Sequence, residues 1–191
     1  FNHSSKKDNL NIINFCYKRN PEKINVGFVS PDFRSHPVGY ALTNVIEHLK
    51  SYNFNLFAYY SFSLKDDLTN KFKRDFDYFH NVTDLNDEQI INKIRSDGIH
   101  ILIDLAGYTF NNRLSIFCNN PAPVQISMLG YLPTTGIKEI KYKIGDPHIY
   151  PETIEKNFSE KILRLPNIWS DFVVKQSVDI SQLSFDEKND Q

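Results

Sequence analysis

The sequence predicts an α/β fold, a Rossmann-like, mostly parallel sheet flanked by helices. From Ile24 onward, short apolar runs alternate with stretches of helical period, the sequence form of strands joined by crossover helices. One run, Ile99-His100-Ile101-Leu102-Ile103, is apolar enough for a central strand covered on both faces. The breaks between runs hold Pro, Gly, Asn and Asp, which stop strands and start helices.

The first strand is Ile24-Asn25-Val26-Gly27-Phe28-Val29, closed by Ser30-Pro31-Asp32. Pro37 suits a first helical position, where its missing N–H would have no partner anyway, and Leu42, Val45, Ile46 and Leu49 then repeat on one face. Residues 54–60 are aromatic-rich and extended, a second strand, and the charged stretch 65–76 reads as a surface helix. Asn86 with Gln89 resembles a capping box, and Asp87 and Glu88 suit the positive end of the helix dipole. Ile90, Ile91 and Ile94 supply that helix's buried side, and Gly98 is placed to end it before the central strand. Residues 111–119 read as a shorter helix, which Pro121-Ala122-Pro123 keeps from running into a strand at 124–128. Two further short strands are expected at 142–144 and 161–165.

The chain has 191 residues, 40 % of them apolar, with 15 Phe and 10 Tyr, which is material for one core. It divides into a linker or docked extension at 1–23 with one apolar cluster at 10–15, a lobe at 24–166, and a linker or tail at 167–191. A net charge of -1 with dispersed basic residues argues against nucleic acid as a partner. No stretch approaches the roughly 18 consecutive apolar residues of a membrane span, and residues 1–7 are too polar to open a signal peptide. The expectation is a soluble, cytoplasmic protein with no membrane partner. Cys16 and Cys118 are too few for a disulfide framework and are expected reduced.

In an open α/β sheet, ligands bind beyond the carboxyl ends of the strands. That rule selects three loops: Ser30 to Pro37, Asp104 to Thr109, and Leu129 to Gly136. In the first, Asp32 and His36 stand four residues apart at the mouth of a helix. They could orient an acceptor hydroxyl or hold a diphosphate; equally, Asp32 could close a turn and His36 cap the helix, and spacing alone favours this second reading. Asp104 is open in the same way, between a functional carboxylate and one bonded to the backbone of the following Gly107 turn. Gly130 and Gly136 bracket a loop that lets a ligand approach the backbone, which ordinary turn chemistry also explains. His100 lies at the wrong edge of the sheet, and His48 and His80 read as solvated or packed. His148 follows Asp146-Pro147 near the loop cluster. Asp75 and Asp77 have the spacing of a metal-diphosphate pair but read as a solvated face. Nicotinamide, Walker-type phosphate-loop and nucleophile-elbow signatures are all missing.

Taken together, Val26-Gly27-Phe28-Val29-Ser30-Pro31-Asp32-Phe33-Arg34-Ser35-His36-Pro37 is similar to the V-G-Y-V-S-x-D-F-x-x-H stretch of the O-GlcNAc transferase family. Further matches follow in family order: residues 97–109 (DGIHILIDLAGYT), Pro121-Ala122-Pro123-Val124-Gln125, and Leu129-Gly130-Tyr131 followed by Thr134-Thr135-Gly136. The resemblance implies the N-terminal lobe of a GT-B type, inverting, metal-independent glycosyltransferase that moves N-acetylglucosamine from UDP-GlcNAc to protein Ser or Thr hydroxyls. No cofactor is implied; the partners are a UDP-sugar donor, a protein or peptide acceptor and a C-terminal donor-binding lobe outside these residues. The tetratricopeptide repeats common upstream in the family lie outside them too. By the same resemblance, His36 and Asp32 lie near the reacting centre, Pro37, Val38 and Tyr40 continue that wall, and Leu129, Gly130, Leu132, Pro133 and Thr134 lie beside the sugar. Where the family reads L-G-Y-P-G-T, this chain has Leu129-Gly130-Tyr131-Leu132-Pro133-Thr134, so the proline is displaced and the sugar-side loop is expected to differ in shape. A cleft face missing its second lobe would leave Phe33, Tyr40, Tyr108 and Tyr131 partly exposed.

Overall fold

A computed structural model describes residues 21–169. The apolar cluster at 10–15, Cys16 and nearly all of the expected extension and tail lie outside the described residues. Within them the chain runs β1 (Ile24–Ser30), α1 (Pro37–Leu49), β2 (Phe54–Tyr60), α2 (Asp67–Asp75), β3 (Tyr78–Asn81), α3 (Asp87–Ser96), β4 (Ile101–Asp104), α4 (Leu114–Phe117), β5 (Val124–Ser127) and β6 (Tyr142–Gly145). A 3₁₀ turn (Glu152–Asn157) then leads to β7 (Lys161–Arg164).

The seven strands are all parallel, in the order β3-β2-β1-β4-β5-β6-β7. Sequence order reverses between β1 and β4, so their carboxyl ends diverge into a crevice there, the switch point at which such sheets take ligands. On one face, α1 and α2, with Phe76 just past the end of α2, place Leu42, Ile46, Phe72 and Phe76 over Val26, Phe28, Leu56 and Ala58. On the other, α3 and α4 place Ile90, Ile94, Ile116 and Phe117 over Phe57, Tyr59 and Leu102. Each fully buried Leu, Ile or Phe contributes about 2 kcal/mol over its exposed state. The capping box forms as expected: Asn86 accepts from Gln89 N–H while Gln89 accepts from Asn86 N–H, and Gly98 adopts φ 62° just beyond the helix.

Several expectations are corrected. The helix expected over 111–119 shrinks to Leu114–Phe117, because Asn111 and Asn120 take left-handed backbone at φ 58° and 45° and break it at both ends. Tyr78–Asn81, not expected as a strand, pairs with β2 as the sheet's edge. Phe33, expected at the surface, is fully buried; it turns back from the loop to meet Tyr60, Phe72, Phe76 and Phe79 edge-on. Tyr40 and Tyr108 are exposed as expected, and Tyr131 is half-buried. Asp75 pairs with Lys50 and Lys71, and Asp77 accepts from Leu56 N–H at the amino end of β3, far from the strand-end crevice. No described helix is long and apolar enough to cross a membrane.

Candidate active site

The first wall is the turn from β1 into α1. Ser30 Oγ accepts from Asp32 N–H at 2.9 Å, tightening the turn as the strand stops. Asp32 is thereby buried, with Oδ1 accepting from Arg34 Nη2 at 3.0 Å and Oδ2 3.5 Å from His36 Nδ1. Burial pushes the Asp32 carboxyl up, and His36, when its ring is protonated, and the Arg34 guanidinium pull against it. His36 caps α1: its backbone is extended, and its Nδ1 accepts from Val38 N–H at 3.3 Å. Pro37 occupies the first helical position beside it. The Arg34 side chain lies over the Phe62 ring, 5.3 Å from its centroid.

The second wall follows β4. Asp104 is wholly buried, and its carboxylate accepts from Ala106 N–H at 3.1 Å, Gly107 N–H at 2.9 Å and Ser127 Oγ at 3.2 Å. Burial pushes its carboxyl up and those N–H groups oppose the shift, so its geometry is that of a group shaping the turn. The third loop presses against this turn. A Cβ on Gly130 would lie 2.2 Å from the Leu105 carbonyl oxygen, and one on Gly107, at φ 57°, would lie 2.2 Å from Tyr131 Cβ. Tyr108 Oη donates to the Thr135 carbonyl at 2.6 Å, joining the loops again.

Two buried charges hold the third loop from below. Lys143, fully buried on β6, donates to the Tyr131 carbonyl at 2.8 Å and to Ser127 Oγ at 3.2 Å. Burial pushes its ammonium pKa down, and the charges of Glu160 and Asp104 resist. Glu160 accepts from Thr134 Oγ1 at 2.6 Å and Thr135 N–H at 2.7 Å. Between the clamps, Tyr150 Oη donates to the Leu132 carbonyl at 2.9 Å while the Leu132 side chain stays 47 % exposed, projecting toward the crevice.

All three loops meet. A cleft of about 150 Å³ is lined by Asp32, His36 and Val38 from the β1–α1 turn and the start of α1, Thr109 and Asn111 from the segment after β4, and Gly130 from the loop after β5. An apolar hollow of about 460 Å³ adjoins it, sharing Val38 and Gly130 and bounded by Pro37, Leu129, Leu132 and Trp169. Of the residues expected at the site, Tyr40, Pro133 and Thr134 line neither space, and the Thr134 hydroxyl is engaged with Glu160. His148 is exposed just past β6 and lines neither space. Sequence reading passed over Arg34, Phe62 and Phe110 as site residues although they also line the cleft. Lys143 and Glu160 escaped as well, because Lys143 stands within a short strand close to Lys141 and Glu160 stands directly before Lys161, so neither charge is conspicuous in the sequence. Among the described residues, no three His, Cys, Asp or Glu side chains converge as a metal site would require.

A helix-flanked parallel sheet with a polar cleft and a capped helix at its switch point defines a Rossmann-like ligand-binding lobe. The model of glycosyl transferase family 41 matches residues 6–180, and the chain belongs to that family. It is 32 % identical over 146 residues to a protein of Solanum lycopersicum named as a probable UDP-N-acetylglucosamine–peptide N-acetylglucosaminyltransferase SPINDLY, covering 74 % of this chain and 16 % of that one. It is 30 % identical over 152 residues to the Caenorhabditis elegans UDP-N-acetylglucosamine–peptide N-acetylglucosaminyltransferase, covering 78 % of this chain and 13 % of the relative. A mutant of the Thermobaculum terrenum O-GlcNAc transferase superposes with a TM-score of 0.75 at 33 % identity, over 78 % of this chain and 29 % of that one. The chain thus spans about a sixth of the length of the curated relatives it matches.

Proposed function

We propose that this chain forms the acceptor-side lobe of an inverting glycosyltransferase that moves N-acetylglucosamine from UDP-GlcNAc to protein Ser or Thr hydroxyls. A donor-binding lobe completes the site, and the 191 residues alone turn over negligibly. The observation that carries this reading is the meeting of the β1, β4 and β5 loops around one cleft whose lining includes both His36 and Gly130. The names of the relatives support the sugar and the acceptor class.

In the reaction, the acceptor oxygen bonds to the anomeric carbon as the bond from that carbon to the UDP oxygen breaks, and the hydroxyl proton passes to the departing diphosphate or through it to solvent. Charge developing on the departing UDP is stabilised mainly from the second lobe, without a metal. The lobe described above contributes orientation. While His36 Nδ1 accepts from Val38 N–H, the neutral ring carries its hydrogen on Nε2 and presents a donor to the cleft. Such a ring can hold a substrate oxygen in line but cannot take its proton. To act as a base, His36 would have to release Val38 and turn an Nδ1–H toward Asp32 Oδ2, a carboxylate whose Oδ1 is already paired with Arg34. His36 is therefore assigned an orienting role, with Asp32 fixing the turn that aims it.

Incubating the chain with UDP-GlcNAc and a Ser/Thr-rich protein, with and without a family donor lobe supplied in trans, tests the reading. Transfer that appears only with the donor lobe and vanishes with His36→Ala is expected. Robust transfer by the chain alone would refute the need for a second lobe. No transfer in either arm, with peptide still bound, would make the lobe a binding module.

A further inference from the structure

The cleft's unengaged polar groups are all able to donate. Arg34 uses Nη2 on Asp32 and Nε on the Pro31 carbonyl, at 3.0 and 3.4 Å, while Nη1 makes no hydrogen bond among the described residues. Its side chain is only 24 % exposed, bonded at two nitrogens and set over the Phe62 ring at 5.3 Å, so the guanidinium is already ordered. Asn111 is tied into the wall by its carbonyl, which accepts from Ser61 Oγ, but its side-chain amide has no partner among the described residues. His36 presents Nε2–H for the reason given above. The one acidic side chain lining the cleft, Asp32, is paired through Oδ1 with the Arg34 guanidinium, so its charge is answered within the wall. Exposed Phe110 stands at the rim.

A pocket of ordered donors built around a guanidinium fits an oxygen-rich anion. We infer that Arg34, with Asn111 and His36, forms an oxyanion subsite that takes a carboxylate or phosphate presented next to the reacting hydroxyl. An acidic side chain flanking the acceptor Ser or Thr is the ligand expected, because the subsite includes His36, to which the orienting of the acceptor oxygen is assigned. The inference rests on the transferase reading for its substrate, but its binding chemistry is tested separately.

The full chain, labelled with ¹⁵N, is titrated with inorganic phosphate, UDP, and two serine peptides that differ only by Glu or Gln beside the serine. Saturable shifts of Arg34 Nε–H and Val38 N–H are expected with the Glu peptide. The Gln peptide should bind about tenfold more weakly, the loss of one charge-assisted hydrogen bond. Arg34→Gln should erase that difference, and Arg34→Lys should retain part of it, having charge without the planar fork; should Arg34→Gln not fold, the Lys variant carries the test. If Arg34 dependence is found for UDP or phosphate but not for the Glu peptide, the subsite stands and its oxyanion comes from the donor side. If neither variant weakens any of the three anions, the subsite is refuted. Arg34-dependent peptide binding without sugar transfer in trans would sink the transferase reading alone, whereas transfer indifferent to Arg34 with no anion preference would sink the subsite alone.

Discussion

A Cβ on Gly39 would stand 2.2 Å from the Arg34 carbonyl oxygen and 2.8 Å from that of Asp32. The loop that carries Asp32, Arg34 and His36 thus folds back onto the first turn of α1, an approach that only a residue without a side chain permits.

Gly39→Ala is expected to destabilise the chain by about 2 kcal/mol, because backbone cannot yield as a flexible side chain can. Gly136→Ala is the contrasting control: nothing lies within 4 Å of its Cβ, but φ is 65°, so strain alone should cost about 1 kcal/mol. Urea unfolding midpoints check both, and equal costs would contradict the close-approach account.

His36 should separate into two roles. His36→Ala removes the cap accepting from Val38 N–H and should cost about 1 kcal/mol, whereas His36→Asn restores a capping oxygen and should recover most of it. Transfer supported by a donor lobe in trans should be lost in both. Activity that tracked stability across the two variants would leave the imidazole with a structural role only.

Lys143→Met should be among the most damaging single changes, about 3 kcal/mol, because it strands the Tyr131 carbonyl and leaves buried Asp104 and Glu160 without a nearby cation. Adding Glu160→Gln should cost less than the sum of the two single effects. Amide hydrogen exchange across 131–137 reports whether the third loop loosens; unchanged protection there would show that the clamp is not what holds it.

Acid should loosen the first wall through Asp66, which caps α2 and accepts from Ser35 N–H at 2.6 Å. Burial alone would raise its pKa, but the Ser35 and Thr69 bonds outweigh it and bring the carboxyl from 3.8 down to about 2. A depressed carboxyl stabilises the fold above its unfolded pKa, and that stability is lost as pH falls from 3.8 toward about 2. Asp66→Asn should flatten the fall of the urea midpoint across this window; an unchanged slope would mean other carboxylates set it.

Much of the cleft is legible in the sequence. Its three loops were found because each follows a strand and precedes a helix or glycine turn, features set by neighbours in the chain. Asp104 resolves toward the turn-shaping reading for an equally local reason, bonding to Ala106 and Gly107. Arg34 was passed over because its significance lies in contacts with Phe62 and in a donor left over, neither of which is a spacing.

Local chemistry written in the sequence determined where strands and helices begin and end: Pro37 opens α1, Asn86 and Gln89 cap α3, and Gly98 closes it. It also determined family membership, because the motifs lie within contiguous stretches. The tertiary structure alone decided the order of β1 and β4 that opens the crevice, the inward turn of Phe33, and the clamps on the third loop. Those depend on partners distant in sequence, Thr135 with Glu160 and Tyr108 with Thr135, whose meeting is set by strand register and by burial shared across the whole core.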